Sequence, residues 1–142
     1  MSTRCQIHVV QEGLDWEEKI TLYKHSDGYP SGVVPLLKEA WERFGSSWQA
    51  GRARKVASFL CAVAPGSIEP EAGHDLHSDI DYYYVVHVMN PGGSSVAGHP
   101  LWEVEVFSTT DGWWEKERPT HGDLRLLNPR TDITKMTFVQ EE

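Results

Sequence analysis

Alternating apolar and polar positions near the start of the chain predict two short β-strands. In Cys5–Val10 the apolar residues Cys5, Ile7 and Val9 lie on one face of an extended chain. The segment Lys19–His25 alternates in the same way. Because only a short connection separates the two segments, we expect them to pair as an antiparallel hairpin.

The spacing of apolar residues then changes to that of two consecutive α-helices. The first helix is predicted to be capped by Ser31 and to end at Gly45, because a hydroxyl can accept a hydrogen bond from the first turn and glycine suits a helix end. The second is predicted to begin near Trp48 or Gln49 and to end before Pro65. Each has one apolar stripe, so both should pack against a sheet.

Strand patterns return in the second half of the chain. Ile80–Met89 is apolar on both faces, which is typical of a central strand. Leu101–Ser108 is predicted to follow as a strand, and Asp111–Gly112 has the composition of a hairpin turn. The sequence therefore predicts a returning strand at Trp113–Glu117, with one more short strand at Met136–Val139.

Together these elements predict one α+β domain over residues 1–142. The predicted fold is an antiparallel sheet of about five strands with two helices packed on one face, in the order ββααβββ. The acidic segment Ser67–Ser78 is predicted to be a loop. A parallel βαβ arrangement is not favoured, because strands and helices do not alternate along the chain.

Composition and charge restrict the function classes. The net charge of −8 disfavours binding to nucleic acids or anionic membranes and favours a basic partner. No apolar stretch is long enough to span a membrane. Cys5 and Cys61 have no neighbours at metal-ligand spacing, so reduced thiols and a cytoplasmic location are predicted. Met1–Cys5 lacks the apolar run of a signal peptide.

Polar chemistry is concentrated in the turn Tyr23–Pro30, between the second strand and the first helix. It could form a small-ligand site for an anionic or aromatic molecule, including a nucleotide. The residues of that predicted site are Arg4, Lys24, His25, Asp27, Tyr29 and Tyr82. The alternative is structural: Asp27 forms an Asx turn, Gly28 takes a positive φ angle, and Tyr29 packs at the rim of the core.

A second polar cluster contains His74, His77 and Asp79. Two histidines three residues apart could bind zinc or manganese. A complete metal-dependent enzyme site would need more ligands, for which the candidates are His25, Asp27 and His121. Acidic loops that contain histidines usually remain solvated, so the sequence predicts no metal and no cofactor.

The aromatic residues suggest a binding surface. If Trp113–Trp114 were extended, the two rings would lie on opposite faces, and one could be exposed beside Glu115. Trp113, Trp114 and Glu115 are therefore the predicted partner-binding residues. Tyr82 and Tyr84 share a face, but stacking on nucleic-acid bases also needs cations, which are scarce in this chain. The phosphate-binding loop, dinucleotide turn, nucleophile elbow and zinc-protease helix are all absent from the sequence.

Three segments resemble a group of small proteins from bacteriophages and bacterial genomes. They are the opening Met1–Arg4, the phrase YKHSDGYP at Tyr23–Pro30, and Asp79–Tyr84. Ser78 stands where the group usually has glycine, and Asp81 where it usually has glutamate. The match extends over roughly residues 1–90, and it implies a mobile-element context without an activity.

The combined interpretation is a small acidic binding protein of phage or mobile-element type, more consistent with a non-catalytic role than with an enzyme. Its expected partner is a host or defence protein, and a basic protein that handles nucleic acid is the physically favoured kind. The alternatives are a small-ligand binding or sequestering protein with its site at residues 24–30, and a metal-dependent hydrolase.

Overall fold

The antiparallel hairpin predicted from the first two apolar patterns is confirmed. The computed structural model describes residues 3–12, 18–89 and 100–136. In it, strand β1 (Cys5–Gln11) pairs with strand β2 (Lys19–Lys24), so that His8 lies opposite Thr21. Alternation along β1 sends Cys5, Ile7 and Val9 into the main core and leaves Gln6 and His8 on the other face.

The first helix, α1 (Pro30–Phe44), begins earlier than its predicted cap. Tyr29 occupies the N-cap position with extended backbone angles, and Ser31 lies inside the first turn. The prediction that Ser31 caps this helix is therefore wrong. The physical reason is Pro30, whose fixed φ angle suits the first helical position and whose missing N–H costs nothing there.

The second predicted helix is divided into a 3-10 turn at Trp48–Gly51 and helix α2 (Ala53–Val63). Arg52 is extended between them. The side chain of the buried residue Gln11 on β1 receives a hydrogen bond from Ala53 N and donates one to the carbonyl of Gly51. This amide satisfies backbone groups on both sides of the break, which a helical pattern alone does not reveal.

Four further strands complete a mixed six-stranded sheet: β3 (Ile68–Pro70), β4 (Tyr82–Met89), β5 (Leu101–Thr109) and β6 (Leu124–Asp132). The order is β3-β2-β1-β4-β5-β6. The central strands β1 and β4 are parallel, and the other pairs are antiparallel. The α+β class is confirmed, whereas the prediction of about five purely antiparallel strands is wrong.

The parallel pair results from the short strand β3, which lies inside the segment predicted as a loop. β3 runs antiparallel to β2 and therefore points in the same direction as β1. Because β4 also points this way, residues 71–81 must carry the chain back from the edge of the sheet to its centre. Three residues of strand are too few to produce a recognisable alternation.

The prediction of a returning strand at Trp113–Glu117 is also wrong. Gly112 has a φ angle of 81°, and Trp113–Glu115 forms a 3-10 turn. The strand that pairs with β5 is β6, which starts only at Leu124. The strand predicted at Met136–Val139 extends outside the described residues; Met136 itself is buried after a final 3-10 turn.

Apolar side chains cover both faces of the sheet, but unequally. The main core lies between the sheet and the two helices and includes Trp102 and Tyr84. On the opposite face, here called the helix-free face, a small cluster is formed by Leu76, Ile80, Tyr83, Val85 and Trp113. None of the helices in the described part of the chain is long and apolar enough to cross a membrane.

Candidate functional site

The turn before α1 is held against the first strand by backbone contacts. Gly28 N donates a hydrogen bond to the carbonyl of Thr3 over 2.8 Å, and the hydroxyl of Tyr84 donates to the carbonyl of Gly28 over 2.7 Å. A Cβ atom on Gly28 would lie 2.9 Å from backbone atoms of Thr3, Arg4 and Cys5. Gly28 is therefore required for close approach, and the positive φ angle predicted for it occurs at Asp27 instead (54°).

Gly28→Ala should lower the free energy of unfolding by about 1–3 kcal/mol, because the methyl group would push the turn away from rigid backbone. Urea denaturation of the purified variant measures this change. The matched control is Gly73→Ala, since a Cβ atom at Gly73 meets no atom within 4 Å. Equal stabilities of the two variants would contradict the close packing at Gly28.

The polar side chains of this turn do not converge on one ligand. Lys24 is buried and donates a hydrogen bond from Nζ to the carbonyl of Ser26, while Tyr29 donates to the carboxylate of Asp27 over 3.0 Å. Tyr82 is also buried, in the main core. Of the six residues predicted to bind a small ligand, the structure therefore directs Lys24 and Tyr82 inward.

Arg4 and His25 of that predicted set do meet, at one end of the helix-free face. Arg4 donates from Nε to His25 Nδ1 over 3.3 Å and lies 3.9 Å from a carboxylate oxygen of Asp79. Arg4 and Asp79 also line an open pocket of about 310 Å³, together with Asp81 and Trp114. The sequence had placed Arg4, Asp79 and Trp114 in three separate candidate sites.

The two adjacent tryptophans have opposite environments. Trp113 is buried in the helix-free cluster and donates from Nε1 to the carbonyl of His77 over 3.0 Å. Trp114 is 73% exposed, and the neighbouring Glu115 is exposed as well. The expectation that one ring is exposed is confirmed, although a 3-10 turn produces it rather than strand alternation.

The residues predicted as weak metal candidates are separated by their hydrogen bonds. His77 Nε2 pairs with Glu71 over 2.5 Å, His74 Nδ1 pairs with Thr21 over 2.7 Å, and Asp79 faces Arg4. Among residues 3–12, 18–89 and 100–136, no group of three or more potential ligands is arranged to hold a metal ion.

A cluster of histidines around Tyr83 lies beneath the loops of the helix-free face. The hydroxyl of Tyr83 hydrogen-bonds to Nδ1 of the buried His8 and, over 2.9 Å, to Nε2 of His121. The His8 ring centroid lies 6.4 Å from that of His74 and 5.9 Å from that of His121. Alternation placed His8 on this face, but local sequence could not show that residues 74 and 121 meet it.

Burial and nearby positive charge lower the pKa values of two of these imidazoles, His8 and His121. Burial, followed by the ammonium of Lys19, lowers the pKa of His8 to about 3, and the same two causes lower the pKa of His121. The carbonyl of His74 favours a charged His8 slightly, yet no hydrogen bond of normal geometry reaches His8 Nε2 from the described residues. Burial also raises the pKa of Tyr83.

A separate ionic network crosses the other end of this face. His87 lies between carboxylate oxygens of Glu12 and Glu105, each 2.6 Å from a ring nitrogen. Arg130 joins the network through Glu12 at 2.8 Å and Glu103 at 2.6 Å. The hydrogen bond from Arg130 lowers the pKa of Glu12. This network ties the end of β1 to β4, β5 and β6, and no local pattern in the sequence indicated it.

Similarity to known proteins does not assign a function to this chain. No protein-family model matches this chain, and comparisons with curated proteins and with solved structures returned no significant match. The function must therefore be argued from the exposed Trp114, the pocket beside Arg4 and the histidine cluster.

Proposed function

We propose that this chain is a non-catalytic binding protein of phage or mobile-element type that binds a basic host or defence protein through Trp114. The observation that carries this proposal is the exposure of Trp114, at 73%, on a turn whose preceding residue is buried. A large aromatic ring that is mostly exposed contributes little buried area to the fold. Rigid, exposed tryptophans are the typical anchors of protein interfaces.

The charges around Trp114 support a basic partner. Asp79 and Asp81 line the adjoining pocket, Glu115 is the next residue along the chain, and the whole chain carries a net charge of −8. Arg4 is the cation of the pocket lining, and it is paired with Asp79. An arginine or lysine of the partner could lie over the indole and reach these carboxylates.

The same charges disfavour direct binding of nucleic acids, whose phosphates the carboxylates would repel. A protein that itself binds nucleic acid has the complementary surface. We also propose that the protein acts in the cytoplasm, since Cys5 and Cys61 are both free thiols.

Trp114→Ala should abolish partner binding without changing the thermal unfolding temperature, because the ring is largely exposed. The measurement is affinity capture of the full chain from its native host, with bound proteins and small molecules identified by mass spectrometry. We expect a basic protein that is recovered with the unmodified chain and reduced at least about tenfold with the variant. Leu126→Ala is the matched control, because Leu126 is the other large exposed apolar residue of the described chain, at 49%.

A small-ligand binding or sequestering function is the second candidate, favoured by the pocket of about 310 Å³ beside Arg4. The same capture experiment distinguishes partner binding from small-ligand binding. Recovery of a small molecule without any basic protein would reject the partner proposal and support the ligand proposal. Equal recovery of the basic protein by Trp114→Ala and Leu126→Ala would show that Trp114 is not the anchor.

A further inference from the structure

Two exposed histidines on the helix-free face are held in place by buried hydroxyl groups. His74 uses Nδ1 to bond Thr21 Oγ1 over 2.7 Å, and His121 uses Nε2 to bond the Tyr83 hydroxyl over 2.9 Å. Thr21 and Tyr83 are themselves buried on neighbouring parts of the sheet. Each imidazole therefore has one nitrogen fixed by the protein and one that no described residue contacts through a hydrogen bond.

The buried His8 lies close to both of these rings, 6.4 Å from His74 and 5.9 Å from His121 between ring centroids, and one of its nitrogens has no hydrogen bond of normal geometry within the described chain. Its side chain is fully buried, its Nδ1 is bonded to Tyr83, and its Nε2 has no hydrogen-bond partner among the described residues. Buried polar atoms of this kind are rare, because burial without a hydrogen bond is unfavourable. The buried, unpaired Nε2 sets His8 apart from the other histidines of the described chain.

The charge of this cluster is positive although the chain is acidic. Lys19 is exposed on the same face as Thr21, two residues away on β2, and its charge acts on both His8 and His121. No described residue forms an ion pair with Lys19 in the structure. The cluster therefore combines one permanent cation with two exposed imidazoles.

Neighbouring carboxylates are already engaged by other groups. Glu71 accepts hydrogen bonds from His77 and Gln6. The carboxylate of Asp123 accepts from Thr120 and pairs with Lys116 at 3.5 Å. Glu105, whose charge acts on Tyr83 from β5, pairs with His87. None of them neutralises the histidine cluster.

We propose that His74, His121 and Lys19 bind a small oxyanion of the phosphate class, above the buried His8. An oxyanion can accept hydrogen bonds from the outward imidazole nitrogens and from the ammonium, and it relieves their mutual repulsion. A metal cation fits less well, because Lys19 would repel it. This site lies apart from Trp114 and does not depend on the proposed partner.

Binding of the anion should favour protonation within the cluster. A bound oxyanion favours the imidazolium form of His121, whereas burial and Lys19 oppose it. The negative charge of Glu105, facing Tyr83 from β5, would weaken anion binding modestly. Binding should therefore strengthen as the pH falls, provided that the anion keeps its own charge.

The test uses the folded full chain, titrated with inorganic phosphate and with sulfate at constant ionic strength. Imidazole signals are followed by NMR, so that the rings report binding directly. We expect saturable shifts of the His74 and His121 signals, and sulfate affinity about tenfold higher near pH 6 than near pH 7.5, because sulfate does not titrate in that range.

Three variants distinguish binding at this site from a general electrostatic attraction of anions to the protein. Lys19→Gln and His121→Gln should each weaken sulfate binding about tenfold, because each removes a group that contacts the anion. Both side chains are exposed, so their replacement should leave the fold intact. His25→Gln is the matched control, an exposed histidine near the turn, and should bind as the unmodified chain does. Unchanged backbone spectra verify that each variant is folded.

Three results would overturn the oxyanion site. They are the absence of a saturable shift with either anion, equal weakening in His25→Gln and His121→Gln, and shifts of both rings by zinc but by neither anion. The last result would assign the cluster to a metal instead.

Discussion

Trp102→Ala should lower the free energy of unfolding by about 3–5 kcal/mol. The indole of Trp102 is fully buried, lies 5.1 Å from the ring of Trp41 in an edge-on arrangement, and donates to the carbonyl of Ala50 over 2.7 Å. Alanine would leave a cavity between β5 and the helices, and it would also leave that carbonyl without its donor. Urea denaturation followed by circular dichroism measures the loss.

Two other variants show which part of the loss comes from packing. Trp102→Phe keeps much of the ring but not the donor, so a smaller loss of about 1–3 kcal/mol is expected. Trp114→Ala removes the same atoms from an exposed position and should change stability by less than about 0.5 kcal/mol. If Trp102→Ala proved as stable as Trp114→Ala, the packing of the helices on the sheet would have to be revised.

Acidification should destabilise the protein through His8, by about 1.4 kcal/mol per pH unit between roughly pH 6 and pH 4. Burial and Lys19 lower the pKa of folded His8 to about 3, whereas in the unfolded chain it is near 6.5. Between these values the unfolded state binds a proton that the folded state excludes. The stabilisation is therefore complete above about pH 6.5 and is lost progressively as the pH falls towards 3.

The effect of His8 can be isolated by comparing how steeply the free energy of unfolding changes with pH in two proteins. The free energy of unfolding is measured at several pH values for the unmodified chain and for His8→Gln, which cannot take up the proton. Other groups that titrate, including Glu12 with its lowered pKa, contribute to both proteins and cancel in the difference. The variant should show the shallower slope. Parallel lines for His8→Gln and the unmodified chain would contradict the neutral, buried state of His8.

The two proposed sites lie on one side of the sheet. Trp113, whose burial fixes Trp114, belongs to the same apolar cluster as Tyr83, which supports the histidines. The opposite side is filled by α1 and α2, and its polar residues Gln11 and Lys24 are used to complete backbone hydrogen bonds. The helix-covered side therefore supplies stability, and the helix-free face carries the features that folding does not explain.

Much of the fold was predictable because the responsible forces are local. Alternation assigned the two faces of β1 and β4 correctly, since a strand that buries one face must repeat every second residue. Helical spacing located α1 and α2 within a few residues. The partner of β5 was missed because β6 starts only at Leu124, after 3-10 turns at Trp113–Glu115 and His121–Asp123, and such short turns leave no periodic pattern.

The candidate sites were only partly predictable. The exposed ring of Trp114 followed from two adjacent tryptophans, because both cannot be buried easily at the end of a strand. The turn at Asp27 and Gly28 attracted attention for its chemistry, yet its composition is largely explained by backbone packing against Thr3. Residue types alone could not distinguish a ligand site from a tightly packed turn.

The sequence by itself determined the α+β class, the faces of the main strands and the acidic net charge of the chain, and it contains no helix in the described residues that is long and apolar enough to cross a membrane. Only the tertiary structure decided the parallel pairing of β1 with β4 and the meeting of His8, His74 and His121. The physical reason is distance along the chain. Local patterns record which side of an element is buried, whereas contacts between residues more than 60 positions apart depend on how the elements pack.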